Sequence, residues 1–346
     1  MPLPALSERE RRVLEAVIQS YVETAQPAGS NAIARRFALG VSPATIRNTM
    51  SDLEEKGLLY HPHTSAGRVP TDVAYRIYVD WLLPLPRRPM REHAQLSSEI
   101  SIGGSAVEAI LRRAAQSLGV ITQELGVALG PRLDNSILER LDLVRLSSER
   151  LLVALTLAGG AVRTIFVEAR GEIADAALAE VTRVLNERIG GLTLREIRTS
   201  VGVRLRDTGP TAAASELLNI FIEEGEQLFD SAMQANTDVL LGQPSLLADQ
   251  PEFSTVDNMR KLVALTETRE HLSDLLRARS ETPGITITIG NEHRDPKLEN
   301  FTIVTAQYHS GSIAGVIGVI GPTRMPYDKV ISLVTHTSRL LTDLLD

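Results

Sequence analysis

Residues 42 to 56, Ser-Pro-Ala-Thr-Ile-Arg-Asn-Thr-Met-Ser-Asp-Leu-Glu-Glu-Lys, decide how the first quarter of this chain folds. Ser42 is a good N-cap, and Pro43 takes the first helical position, where no N–H is needed. Ile46, Met50 and Leu53 form one apolar stripe, with Thr49 at its margin. Gly57 supplies a left-handed stop. Ala44, Arg47, Asn48 and Ser51 lie away from the stripe and Thr45 on its flank, so the outer face is small and polar. Upstream, Ser7-Glu8-Arg9-Glu10 reads as a capping box opening a helix to about Thr24. Pro27 and Gly29 break it, a short helix covers Ser30 to Phe37, and Leu39-Gly40-Val41 make a tight turn. A polar-faced helix one short turn after another has the geometry of a DNA recognition helix.

A wing is expected next. Residues 58–60 and 68–70 read as short strands around the tip His63-Thr64-Ser65-Ala66-Gly67-Arg68. Ser65, Ala66 and Gly67 are small enough to approach a backbone closely, and Arg68 supplies charge for a phosphate or an A·T-rich minor groove. On the helix, Arg47 matches the two acceptors of guanine and Asn48 the donor–acceptor pair of adenine. Ala44 and Thr45 suit a thymine methyl, and Ser42 at the helix N-terminus suits a phosphate. A solvated helix face is the bland alternative; the helix–turn–helix spacing together with a wing tip outweighs it.

At 346 residues, two or three domains are expected, and 43% apolar composition fits a folded soluble protein. With no Cys, disulfides, zinc–thiolate sites and thiol nucleophiles are excluded. No signal peptide opens the chain, and the most apolar stretch, Leu151 to Ala169, is broken by Gly159-Gly160 and Arg163. A cytoplasmic protein without membrane association is expected. Residues 1–91 carry 12 Lys+Arg against 9 Asp+Glu, whereas the rest carry 24 against 34. A basic head on an acidic body suits a DNA binder whose body is repelled by phosphate. Aromatics at 4% are too few for base-stacking platforms.

Thr71-Asp72 starts a further helix ending at Pro84, Pro86 and Pro89, where the first domain boundary is expected. Beyond it, residues 105–124 carry one helical stripe, 137–168 a three-strand meander turning at Ser147-Ser148 and Gly159-Gly160, and 174–188 and 211–234 helices. After a junction at Pro244 and Pro251 come a helix over about 256–280, strands near 285–289, 301–308 and 313–320, and a helix over about 327–345. Ile313 to Ile320 hardly alternates and reads as buried on both faces.

No catalytic or metal constellation emerges. Gly311 to Gly321 matches neither a Walker loop nor a dinucleotide fingerprint, and strands passing close to a neighbour explain it better. His61 and His63 lack a third ligand nearby and read as polar wing residues. Glu223, Glu224 and Glu226 read as a solvated face, and Asp134-Asn135 and Asn291 to Asp295 as loops.

Several blocks resemble the HrcA family of heat-inducible transcription repressors across the whole chain. They are Leu39 to Asn48, Pro62 to Thr71, Tyr75-Arg76-Ile77-Tyr78-Val79-Asp80 and Gly318-Val319-Ile320-Gly321-Pro322-Thr323-Arg324-Met325, with weaker echoes at Leu185 to Arg188, Gly191 to Thr193 and Gln250 to Phe253. Thr49 stands where that family usually has Glu, and Pro326 where a polar residue is common. The resemblance implies a multidomain α+β protein: a winged helix-turn-helix over 1–88, a discontinuous GAF-like α/β domain over 90–135 and 240–346, and an inserted α+β dimerising domain over 136–239 with a three-strand antiparallel sheet. It also implies a homodimer on double-stranded DNA, the CIRCE inverted repeat of chaperone operons such as groE and dnaK, and the GroEL chaperonin as modulating partner. No cofactor is implied. The DNA-facing set is then Ser42, Ala44, Thr45, Arg47, Asn48, Ser51, Ser65, Gly67 and Arg68. Three rivals are a small-molecule sensor on the same DNA-binding head, an enzyme with a DNA-targeting head, and a non-specific architectural protein.

Overall fold

The computed structural model describes residues 5–345 apart from 64–65, 84–90, 102–106, 132, 159–161, 169–173, 207–210, 235–238, 268 and 311–312. The expected tip residue Ser65 and the boundary prolines 84, 86 and 89 therefore lie outside the described residues, as does the turn at Gly159-Gly160.

The N-terminal unit holds α1 (Glu8–Thr24), α2 (Ser30–Arg36), α3 (Pro43–Glu55), the short strands β1 (Leu59–Tyr60) and β2 (Val69–Pro70), and α4 (Asp72–Ile77). The Ser7 and Glu10 side chains complete the capping box of α1, and Ser42 caps α3 through the Thr45 amide. Gly40 and Gly57 both take φ of 72°, the left-handed turns that end α2's connection and α3. β1 and β2 pair antiparallel, Leu59 opposite Pro70 and Tyr60 opposite Val69. Past α4 the helix widens into a π turn, Tyr78–Leu82, instead of continuing as α-helix.

The remaining elements are α5 (Arg91–Ser101), α6 (Val107–Thr122), β3 (Leu125–Leu129), β4 (Leu138–Arg145), β5 (Arg150–Leu157), β6 (Val162–Glu168), α7 (Asp175–Ile189), α8 (Leu194–Arg206), α9 (Ala212–Glu223) and α10 (Gly225–Gln234). They are followed by β7 (Val239–Leu241), α11 (Ser245–Ala248), α12 (Val256–Glu267), α13 (Arg269–Ser280), β8 (Ile285–Ile289), β9 (Phe301–Ser310), β10 (Ile313–Pro322) and α14 (Tyr327–Leu345). Two sheets organise them. A five-stranded antiparallel sheet runs β7-β3-β10-β9-β8, and a three-stranded one β4-β5-β6.

The larger sheet is buried on both faces, which is why its strands read as nearly continuous apolar runs. Ile317 and Val319 of β10, with Val304 and Tyr308 of β9, join the core shared with α6, α14 and the winged-helix residues. Val316 and Ile320, with Phe301 and Ile303, face the other way into a core with α12 and α13. Gly318 is needed where β10 crosses β9, because a Cβ there would sit 2.1 Å from the Val304 carbonyl oxygen. Gly315, whose Cβ would meet the Tyr308 ring and the Leu129 carbonyl, likewise serves strand packing. A third core spans Leu133 to Phe229 and joins one face of β4-β5-β6 to α7, α8, α9 and α10. The chain leaves the large sheet after β3 and returns at β7, which pairs with β3.

The other face of β4-β5-β6 carries exposed apolar side chains. Phe166, 68% exposed, lies opposite Leu152, which lies opposite Val144, itself 46% exposed. A single helix was expected over 211–234; α9 and α10 instead meet at Glu224. No helix among the described residues is long and apolar enough to cross a membrane.

Candidate nucleic-acid interface

α3 is held from behind. Ile46, Met50 and Leu53 are buried, and so is Thr49, whose hydroxyl donates back to the Thr45 carbonyl at 3.1 Å. At its far end Lys56 Nζ binds Glu10 Oε1 at 2.6 Å and the Ala5 carbonyl at 3.1 Å, tying the end of α3 to the start of α1. Lys56 and the capping bonds from Ser7 hold the Glu10 carboxyl down to about 2.

Ser42, Ala44, Arg47 and Asn48 are exposed, and Thr45 and Ser51 half-exposed. Neither Arg47 nor Asn48 makes a side-chain hydrogen bond or ion pair with any described residue, so both forks are open to a ligand. Ser42 Oγ and Thr45 Oγ1 lie 2.9 Å apart at the N-terminus of α3, a pair of hydroxyls beside free helical N–H groups. This face is polar and convex, with a positive end, and fits a major groove about 12 Å wide.

The wing departs from expectation at two residues. Gly67 was expected to let the tip approach a DNA backbone; its constraint lies inside the protein instead. A Cβ on Gly67 would stand 2.4 Å from the Ala28 carbonyl oxygen, because Arg68 and Ala28 bridge the wing to the turn before α2. Arg68 was expected to offer its charge to DNA. Its side chain is only 12% exposed, and Nη2 binds Glu54 Oε2 at 2.8 Å. Glu54 also receives His61 Nδ1 at 2.7 Å on its other oxygen. The guanidinium therefore clamps the wing to the last turn of α3. Sequence spacing hides this, since Glu54 and Arg68 meet only once the wing folds back.

Contacts between the winged helix and the C-terminal sheet also escaped the sequence. Arg76 of α4 forks onto Glu292, at 2.8 Å from Nε and 2.6 Å from Nη2, and Nη2 also reaches the Ile287 carbonyl. Asp72 accepts the backbone and side-chain N–H groups of Asn291, a residue expected to sit in an idle loop. Arg324, in the block Gly318 to Met325, donates to the Val22 carbonyl at the end of α1 and forks onto Glu252. Arg324 thus ties the end of that block to the winged helix. Among the described residues no group of three metal-ligating side chains exists.

Two family models cover this chain. Residues 5–79 match "Winged helix-turn-helix transcription repressor, HrcA DNA-binding", and residues 108–331 match "HrcA protein C terminal domain". The chain belongs to the HrcA family. The "Heat-inducible transcription repressor HrcA" of Chlorobium phaeobacteroides (strain BS1) is 40% identical, covering 97% of both chains. That of Geobacter sulfurreducens is 37% identical, covering 99% of this chain and 98% of the other. A crystal structure of a hypothetical protein, at 23% identity, shares the fold over 99% of both chains with a TM-score of 0.64. Residues 5–79 are thus a winged-helix DNA-binding domain, and the body is a mixed helix–sheet assembly consistent with a GAF-like C-terminal domain. HrcA proteins are transcription repressors, a non-enzymatic role.

Proposed function

We propose that this protein represses chaperone operons such as groE and dnaK by binding the CIRCE inverted repeat as a homodimer in the cytoplasm, with GroEL adjusting its activity. The observation that carries the reading is the outer face of α3, where the Arg47 and Asn48 side chains project with no partner among the described residues. In the proposed complex Arg47 reads a guanine and Asn48 an adenine; Ala44, Thr45 and Ser51 line the groove. Ser42 and the tip residue Ser65 meet phosphates. Gly67 and Arg68 act by holding the wing in place.

The division proposed is a DNA-binding unit over 1–88, a GAF-like unit over 90–135 and 240–346, and a dimerising insertion over 136–239. The pairing of β3 with β7 supports the insertion, since it closes the larger sheet across the excursion. The row of exposed Val144 and Phe166, with half-buried Leu152 between them, supports dimerisation through this face of β4-β5-β6. Two-fold symmetry of the protein then matches a palindromic operator.

The test is fluorescence anisotropy of a labelled CIRCE duplex against a scrambled one over a salt series, with and without GroEL. The expected result is a large preference for CIRCE with a steep salt slope, improved by GroEL. Equal, weak binding to both duplexes in the presence of GroEL would overturn the operator assignment.

A further inference from the structure

Beside the seam between the winged helix and the C-terminal sheet lies a cavity of about 480 Å³, within the range of small-molecule sites. Its walls come from both units. Tyr21, Tyr60, Asp72 and Tyr75 belong to the winged helix; Glu252, Asn258, Asn300 and Arg324 belong to the body.

Two independent observations define what such a cavity can hold. The first is Tyr75. It is 1% exposed, burial keeps its phenol protonated, and its hydroxyl has no hydrogen-bond partner among the described residues. Buried hydroxyls are rarely left so. The second is charge. Three carboxylates, Asp72, Glu252 and Glu299, line the cavity against one guanidinium, that of Arg324. Arg324 is taken up by Glu252, and Glu299 meets Lys261 at 2.7 Å. Asp72 differs. Both N–H groups of Asn291 land on its Oδ2, and Oδ1 has no bond among the described residues. Burial and the nearby Glu292 raise the Asp72 carboxyl, the response of an anion short of positive charge. Asp72 and Tyr75 are three positions apart on α4 and share a face.

We propose that this cavity binds a small organic cation, an amine or amidinium on an apolar or aromatic body, with its charged nitrogen between Asp72 and Tyr75. The cation supplies the missing donors to Asp72 Oδ1 and to the Tyr75 oxygen, and Tyr21 and Tyr60 line the same cavity as aromatic neighbours. An anion would meet an excess of carboxylates, and a neutral molecule would leave Asp72 desolvated and unpaired. Because one wall belongs to the winged helix and the other to the body, an occupant bridges the two units and favours the arrangement in which they are docked. The site goes beyond the DNA-binding reading and stands or falls separately from it.

The test uses the full chain in calorimetric titrations with benzamidine, tyramine and putrescine, three cations of different shape, and with benzamide as the neutral counterpart of benzamidine. At least one cation is expected to saturate one site per chain, with benzamide failing to do so. Asp72→Asn should weaken that cation at least tenfold. Tyr75→Phe should weaken it severalfold while leaving the unliganded Tm unchanged or raised, since it removes an unpaired buried hydroxyl. Absence of saturable binding by all three cations, benzamide binding as tightly as benzamidine, or unchanged affinity in both variants would overturn the assignment.

Discussion

Neutralising Glu54 separates two opposite uses of Arg68. In the structure Arg68 Nη2 lies 2.8 Å from Glu54 Oε2, with side-chain exposures of 12% and 32%. A hydrogen bond between charged partners contributes about 1.5–3 kcal/mol when desolvated, and the exposure of Glu54 discounts this to about 1–2 kcal/mol. Removing the clamp by Glu54→Gln therefore lowers the ratio of docked to undocked wing by roughly 5- to 30-fold at 1.4 kcal/mol per decade. Duplex binding should weaken by up to that factor. The salt slope should not change, because no phosphate contact is lost. Arg68→Ala should behave the same way. A phosphate-gripping Arg68 gives the reverse: Glu54→Gln would free a cation and remove an anion beside DNA, tightening binding, and Arg68→Ala would lower the slope by about 0.9. Anisotropy titrations of both variants over a salt series measure these signs. Tighter binding by Glu54→Gln, with loss of slope in Arg68→Ala, refutes the clamp.

Four further outcomes are expected. Arg47→Ala should cost about 1–3 kcal/mol of operator binding and relax preference at one base pair, measured with a panel of singly substituted duplexes. Gly67→Ala, whose methyl would meet the Ala28 carbonyl at 2.4 Å, should destabilise the winged helix by about 1–3 kcal/mol in chemical denaturation. Glu10→Gln should cost about 1–2 kcal/mol at neutral pH. Because the folded Glu10 carboxyl lies near 2, below its ordinary 4.5, its contribution is complete above pH 4.5 and lost as pH falls toward 2; the variant's stability profile should be flatter across that window. Phe166→Asp, on the face of β4-β5-β6 that carries exposed apolar side chains, should shift a dimer toward monomer in sedimentation equilibrium while the far-ultraviolet circular dichroism stays the same.

The winged helix was legible because its signals are local. The Ser7 and Ser42 caps, the glycines at 40 and 57, and the stripe Ile46, Met50, Leu53 each act within a few residues. Elements whose stability comes from distant partners were missed. β3 has five residues, Gly126 among them, with both faces buried, so it shows no alternation. α8 carries Ile197, Val201, Val203 and Gly202, poor helix formers, and is held by burying Leu194, Ile197, Val201 and Leu205. α5 and β7 also passed unread. The site followed the same rule. Arg47 and Asn48 face outward by helical periodicity alone, whereas the partners of Arg68, Arg76 and Arg324 come from other elements, up to 302 positions away.

The interrupted sheet has a consequence for synthesis. β3 lies between β7 and β10, and Leu125 finds its β10 partner only at Ile320. At about 5–20 residues per second, roughly 10–40 s pass between translation of the two strands. Until β7 emerges the apolar Leu125–Leu129 segment has no strand to pair with, and until β10 emerges it has only that three-residue strand, while the intervening 133–229 core can already form. The newborn chain is thus a folded middle beside apolar strands with open edges, a species prone to aggregation.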